Sequence, residues 1–171
     1  MRAGADFIVS QLFMDNDKFL RWRDDLRRAG LTVPIVPGIL PALSARQIVA
    51  FAGRYDPQPF HVDPVAAAKS AFGGLIASGW HTCAVCMRLN CETYINRSVS
   101  LGSPGLDNIR WLKPVRPGDT ITYRRTVLES RASQSRPGVG LLRSRTKALN
   151  QFGDIVMSME GWGMFGRRPA P

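Results

Sequence analysis

Cysteine is nearly absent from this 171-residue chain. The three that occur, Cys83, Cys86 and Cys91, are an odd number on one short stretch, which argues against a disulfide framework and suits a reducing compartment. With His81 they make a nominal zinc set, but a helix spreads these positions over several faces. They read as small core residues, and no metal is expected. Long apolar runs are missing too: nothing approaches the roughly 20 residues that a membrane-spanning helix needs. Nor does a basic flank introduce a signal-peptide core at the N-terminus. The expectation is a cytoplasmic protein with no membrane contact. Acidic residues are few, 13 against 23 Lys and Arg, giving a formal charge of +10. Residues 1–50 hold 7 basic and 5 acidic side chains and residues 51–171 hold 16 and 8, so the excess lies in the second part. A basic surface attracts polyanions. No helix-turn-helix, zinc-finger or RNA-binding signature accompanies it, however, and nucleic acid is not the expected partner. Internal repeats and low-complexity segments are also lacking. The length suits one domain, and a 44% hydrophobic composition is ample for a packed core.

What is present is a concentrated constellation. The stretch YDPQPFHVDP (residues 55–64) sets a carboxylate, Asp56, five residues ahead of an imidazole, His61. Pro57 and Pro59 each fix their own φ and bias the residue before them away from helix, giving the loop a defined shape. A proton-transfer site needs such a shape. FGGLIASGW (residues 72–80) follows, with glycines ahead of a long apolar segment. Residues 44–53 predict a helix capped by Ser44, and residues 64–72 predict another, with Asp63 as N-cap and Pro64 at the first helical position. Residues 78 to about 89, apolar nearly all round, predict a buried helix. Beyond Pro104 the composition turns β-branched and alternating, predicting strands at residues 106–112, 120–130, 138–149 and 155–165. Turn residues at 136–138 and 150–153 separate the last three.

In this order, Asp56, Pro59, His61, Asp63, Pro64, Phe72, Gly73, Gly74 and Gly79 resemble the MaoC-like acyl-CoA dehydratase and (R)-specific enoyl-CoA hydratase family. WLKPVRPGD (residues 111–119) and NQFGDIVMSMEG (residues 150–161) extend the likeness over about residues 44–168. Two departures stand out: Gln58 where Asn is usual, and Ser78 where His often precedes the glycine. The longer stem of Gln58 is expected to move the hydrogen bond that shapes the loop. The resemblance implies an α+β hotdog fold, an antiparallel sheet wrapped around a central helix, in residues 44–171, and a homodimer. Residues 1–43 read differently. The stretch GADFIVSQLFMDNDKFLRWRDDLRRAGLTVPIVPGILP (residues 4–41) resembles a strand–helix–strand piece of methylenetetrahydrofolate reductase, a flavin-dependent (β/α)8 barrel, with Gln11 where that family has a folate-contacting glutamine. One βαβ unit cannot close a barrel of eight, so neither flavin nor folate binding is expected of it. Residues 33–40 are expected to join the edge of the hotdog sheet, since Pro34 and Pro37 bar a central place. SARQIVAFA (residues 44–52) suits both families, so a fusion junction inside that helix is the expectation.

The activity implied is addition or removal of water across the 2,3 double bond of an enoyl-CoA, with the thioester as substrate and no cofactor. Water must lose a proton as it attacks C3, C2 must gain one, and charge on the thioester oxygen must be stabilised. Asp56 and His61 are the candidates for the first two tasks. An ordinary histidine pKa of about 6.5 suits proton exchange, whereas an aspartate at about 3.9 is a weak base unless burial raises it, so their division of labour stays open. Gly79 is the candidate for the third task, its backbone N–H opening the central helix. Gln58, Pro59, Phe60, Phe72, Gly74 and Ser78 are the expected substrate-binding residues, with capping the favoured role for Ser78 and a structural one for His81. Coenzyme A, with its phosphates, is the anion the charge excess suits best. A hotdog thioesterase, or a non-catalytic acyl-CoA-binding or fusion protein, are the alternatives.

Overall fold

The computed structural model describes residues 8–10, 24–25, 27–28, 35–37 and 43–168. In the N-terminal segment, β1 (Ile8–Ser10) and β2 (Ile35–Pro37) pair in parallel, with helical residues 24–25 and 27–28 between them. This is a small βαβ-like segment. β2 does not join the edge of the larger sheet, contrary to expectation. Its ladder is satisfied by β1 instead, Ile35 opposite Ile8 and Pro37 opposite Ser10. Gln11 and most of the helix of the expected strand–helix–strand piece lie outside the described residues.

From Leu43 onward the chain alternates caps and short helices before the sheet begins. α1 (Ala45–Tyr55) starts on a capping box: Ser44 Oγ accepts from the Gln47 N–H at 3.2 Å, and Gln47 Oε1 accepts from the Ser44 N–H at 2.9 Å. The helix runs two residues past Gly53, and the Asp56 N–H closes it on the Ala52 carbonyl at 2.8 Å. The stiffened loop is in part helical, because Pro59 opens a single turn, α2 (Pro59–Val62), with its φ already set. α3 (Pro64–Lys69) is capped by Asp63, whose Oδ1 accepts from the N–H groups of Val65 and Ala66. It stops short of Phe72 because the Ser70 N–H and hydroxyl both turn back to the Ala67 carbonyl.

α4 (Gly79–Thr93) is the central helix, with Ser78 Oγ accepting from the Trp80 N–H at 3.2 Å. It is not buried all round as its composition predicts. Cys86, Leu89 and Asn90 are buried, whereas Trp80 and Met87 are 56% and 47% exposed. The reason is geometric: the sheet covers one side of the helix, and among the described residues the apolar side chains on the other side have no layer above them. β3 (Gly105–Trp111), β4 (Thr122–Ala132), β5 (Val139–Leu149) and β6 (Ile155–Gly166) form an antiparallel sheet of order β3-β6-β5-β4. This is the hotdog arrangement, sheet around helix. Met157 and Met159 of β6, Ala148 of β5 and Tyr123 of β4 pack with Cys86 and Leu89 of α4 and Ile48 of α1 in one core. Leu43 ties the start of this unit to the sheet by exchanging backbone hydrogen bonds with Gly118 and Asp119. No helix of the described residues is long and apolar enough to cross a membrane.

Candidate active site

The α1–α2 junction and the first turn of α4 face each other across a cavity of about 470 Å3. Asp56 stands at the end of α1 and His61 within α2, and the turn of chain between them brings His61 Nε2 to 3.4 Å from Asp56 Oδ2. The imidazole is 6% exposed and the carboxylate 19%. His61 Nδ1 lies 2.8 Å from the Ile76 carbonyl oxygen. A carbonyl can only accept, so Nδ1 carries a proton. In the neutral ring Nε2 then presents a lone pair toward Asp56, and two acceptors face one another at the cavity wall.

Gln58 completes the loop in a way its length did not suggest. Its side-chain amide donates to Asp56 Oδ1 at 2.8 Å, and its backbone N–H donates to the Asp56 carbonyl, also at 2.8 Å. The extra methylene is absorbed and the hydrogen bond reaches its target. Hydrogen bonding from the Ser78 hydroxyl, then from Gln58, holds the Asp56 carboxyl below its ordinary value of 3.8, outweighing a smaller upward push from burial. Burial therefore does not make Asp56 a stronger base. A group with a depressed folded pKa adds stability above its unfolded value and loses it as pH falls through the folded one. NMR titration of the Asp56 carboxyl is expected to give a midpoint below 3.8, and Ser78→Ala is expected to raise it. A wild-type midpoint at or above 3.8 would contradict this account.

Of the residues expected at the site, Asp56, Gln58, Phe60, His61, Phe72 and Gly79 line the cavity. Three expected substrate contacts do not. Pro59 sets the turn of α2; Gly74 lies to the side at φ 156°, next to the Arg116 guanidinium; and Ser78 is fully buried behind the wall. The structure adds Trp80, Trp111 and Leu112, with Val156 at the back. The two indoles meet edge to face, 5.3 Å between centroids. Trp111 covers the Cα of Gly79 so closely that a Cβ there would overlap its ring, 2.7 Å from Cδ2. The WLKPV wording marked this stretch, but nothing in one sequence shows an edge-strand indole reaching the helix start. Lys113 also lines the cavity, paired with Asp154 at 2.7 Å. His81 lies outside it, 7% exposed and stacked on Phe51 at 4.5 Å, its Nδ1 without a hydrogen-bond partner and its pKa lowered by burial. The cysteines are free thiols, and burial pushes Cys86 up to about 12.

The family profile described as "MaoC like domain" matches residues 29–146, and that of methylenetetrahydrofolate reductase matches residues 1–55. The crystal structure of a MaoC-like dehydratase from Rhodospirillum rubrum is 40% identical and superposes with a TM-score of 0.69, covering 75% of this chain and 88% of that one. Mesaconyl-CoA hydratase of Cereibacter sphaeroides is 42% identical over 66 residues, which is 36% of this chain and 19% of that protein. Methylenetetrahydrofolate reductase 1 of Schizosaccharomyces pombe is 58% identical over 38 residues, 22% of this chain. The chain spans only 6% of that reductase's length, a single βαβ unit's worth. The profile match and the sheet-wrapped α4, with Asp56 and His61 at its N-terminal end, make the chain a member of the MaoC-like dehydratase family, carrying a reductase-like segment at its N-terminus.

Proposed function

We propose that this protein is a hydro-lyase acting on 2-enoyl-CoA thioesters, with Asp56 and His61 as its acid/base pair. The observation that carries the reading is the pair of facing acceptors, His61 Nε2 and Asp56 Oδ2, at 3.4 Å. A water seated beside that axis donates one hydrogen to each and turns a lone pair outward toward C3. As the O–C3 bond forms, one of its protons passes to the pair and a proton is delivered to C2. The reverse sequence expels water. The Gly79 N–H, unpaired within the helix and at the positive end of the α4 dipole, suits the developing charge on the thioester oxygen. No metal or other cofactor enters this scheme.

Incubation with crotonyl-CoA tests the proposal. The expected result is loss of the conjugated enoyl-thioester absorbance with no release of free thiol. Thiol release would point instead to a thioesterase, and no change in either signal to a non-catalytic acyl-CoA-binding protein. We further propose a homodimer formed through β3. That strand is at a sheet edge, and Leu106 and Trp111 are exposed along it, with Leu112 exposed just beyond its end.

Residues 1–43 are proposed as a separate N-terminal extension to the hotdog unit of residues 44–171. Deleting residues 1–30 is expected to leave crotonyl-CoA turnover within about twofold and the elution volume that of a dimer. The described hydrophobic core that packs α4 against the sheet begins at Leu43, beyond the deleted residues. Aggregation or loss of turnover would show that the segment supports the sheet. Full-length protein purifying with bound flavin would show that the segment has a binding role of its own.

A further inference from the structure

A second cavity, of about 300 Å3, opens between the C-terminal half of α4 and the far end of the sheet. It shares no lining residue with the first. Asn90, on its wall, is eleven residues along α4 from Gly79, about 16 Å at the helical rise. Between the two lie Cys86 and Met157, both fully buried, with the Cys83 sulfur 3.4 Å from that of Met157. A ligand in the second cavity is therefore not the acyl group held in the first.

Much of this wall is apolar, with Met87, Leu106, Met159 and Phe165 on it. Arg125 enters from β4. Its guanidinium lies 4.2 Å from the centroid of the Tyr94 ring and donates from Nη2 to Ser144 Oγ at 2.9 Å. Those contacts leave most of its five N–H donors unused, and among the described residues no carboxylate stands at ion-pair distance from it. Glu160 lines the same cavity, but Arg143 and Arg145 take its two oxygens at 2.9 and 2.7 Å. Arg125 is half-buried, and that burial lowers its pKa to about 10, with no group of opposite sign beside it among the described residues. Next to it, the Tyr123 hydroxyl bonds Asn90 and stands 3.4 Å from Thr146 Oγ1. These neutral groups supply no counter-charge.

A cation partly withdrawn from water and without a counter-ion gains from one, and a guanidinium fork matches the two oxygens of a carboxylate. One cation under apolar walls does not suit a phosphate dianion. The volume, at the lower limit of small-molecule sites, does not suit a nucleotide. We propose that this cavity is a second ligand site, taking a small organic carboxylate whose acid group pairs with Arg125 and whose apolar body fills the space between Met87, Leu106, Met159 and Phe165.

The proposal stands apart from the hydratase reading, and calorimetric titration of the full chain with hexanoate and with hexanol tests it. Hexanoate is expected to bind at one site per chain, at least tenfold tighter than hexanol, and to do so equally in saturating butyryl-CoA, which lacks the reactive double bond. Arg125→Gln is expected to weaken it at least tenfold with an unchanged circular dichroism spectrum. Ser144→Asp, which brings a carboxylate to Arg125 from within the chain, is expected to abolish binding and raise the melting temperature. Equal binding of the alcohol, displacement by butyryl-CoA, or hexanoate binding that survives in Ser144→Asp would each overturn the assignment.

Discussion

Asp56→Asn and His61→Ala are each expected to lower kcat for crotonyl-CoA hydration by roughly 10²–10⁴-fold, and the double variant hardly more than either alone. The expectation follows from proton inventory. His61 Nδ1 is committed to the Ile76 carbonyl, so Nε2 has only a lone pair to offer the cavity in the neutral ring. Asp56 keeps its carboxylate ionised through hydrogen bonding from Ser78 and Gln58. The proposed water needs both acceptors. An amide at position 56 can point its NH2 at Nε2 and fill that lone pair directly, which leaves the water no base. Alanine at position 61 removes the base and strips the buried Ile76 carbonyl of a partner, at about 1–3 kcal/mol of stability. Steady-state kinetics read beside thermal melts separate the two effects. A folded variant of either kind that kept more than a tenth of wild-type turnover would take the pair out of the chemistry.

Features written in local chemistry were the ones legible in the sequence. The Ser44 and Asp63 caps, Pro64 at a first helical turn, and the alternation of residues 139–149 and 155–166 each depend on neighbours a few positions away, and each was placed within about two residues. The Asp56–His61 approach was suggested by five-residue spacing in a stiffened loop and appears as a 3.4 Å contact. Where the partner was remote, the reading failed. β2 was expected at the hotdog edge, to which its prolines restrict it, but that rule does not choose between two edges, and β2 pairs with β1. α4 was expected to be buried all round because composition reports how apolar a helix is, not how many layers cover it. Trp111 was missed at the site because its position depends on β3 register against β6, where it stands opposite Met157.

Gly79→Ala is expected to lower kcat by roughly 10²–10³-fold, about the loss seen when one oxyanion donor is removed, and to cost about 1–3 kcal/mol of stability through overpacking. Helix propensity alone points the other way, since alanine within a helix is favoured over glycine by about 1 kcal/mol. The deciding term is the Trp111 indole. It rests on the Gly79 Cα, leaving no room for a Cβ, and it is itself braced by Trp80. Either the indole swings off the helix start or the first turn of α4 retreats, and both displace the helix-start amide. The double variant Gly79→Ala/Trp111→Ala separates crowding from any intrinsic need for glycine. With the indole gone the Cβ has space, so stability is expected to recover toward that of Trp111→Ala alone, and turnover to match that single variant within a few-fold. Thermal melts and crotonyl-CoA kinetics on the four proteins of this cycle give the coupling directly. Strictly additive losses in both quantities would mean that Gly79 and Trp111 act independently, and that their close approach does not set the position of the helix-start amide.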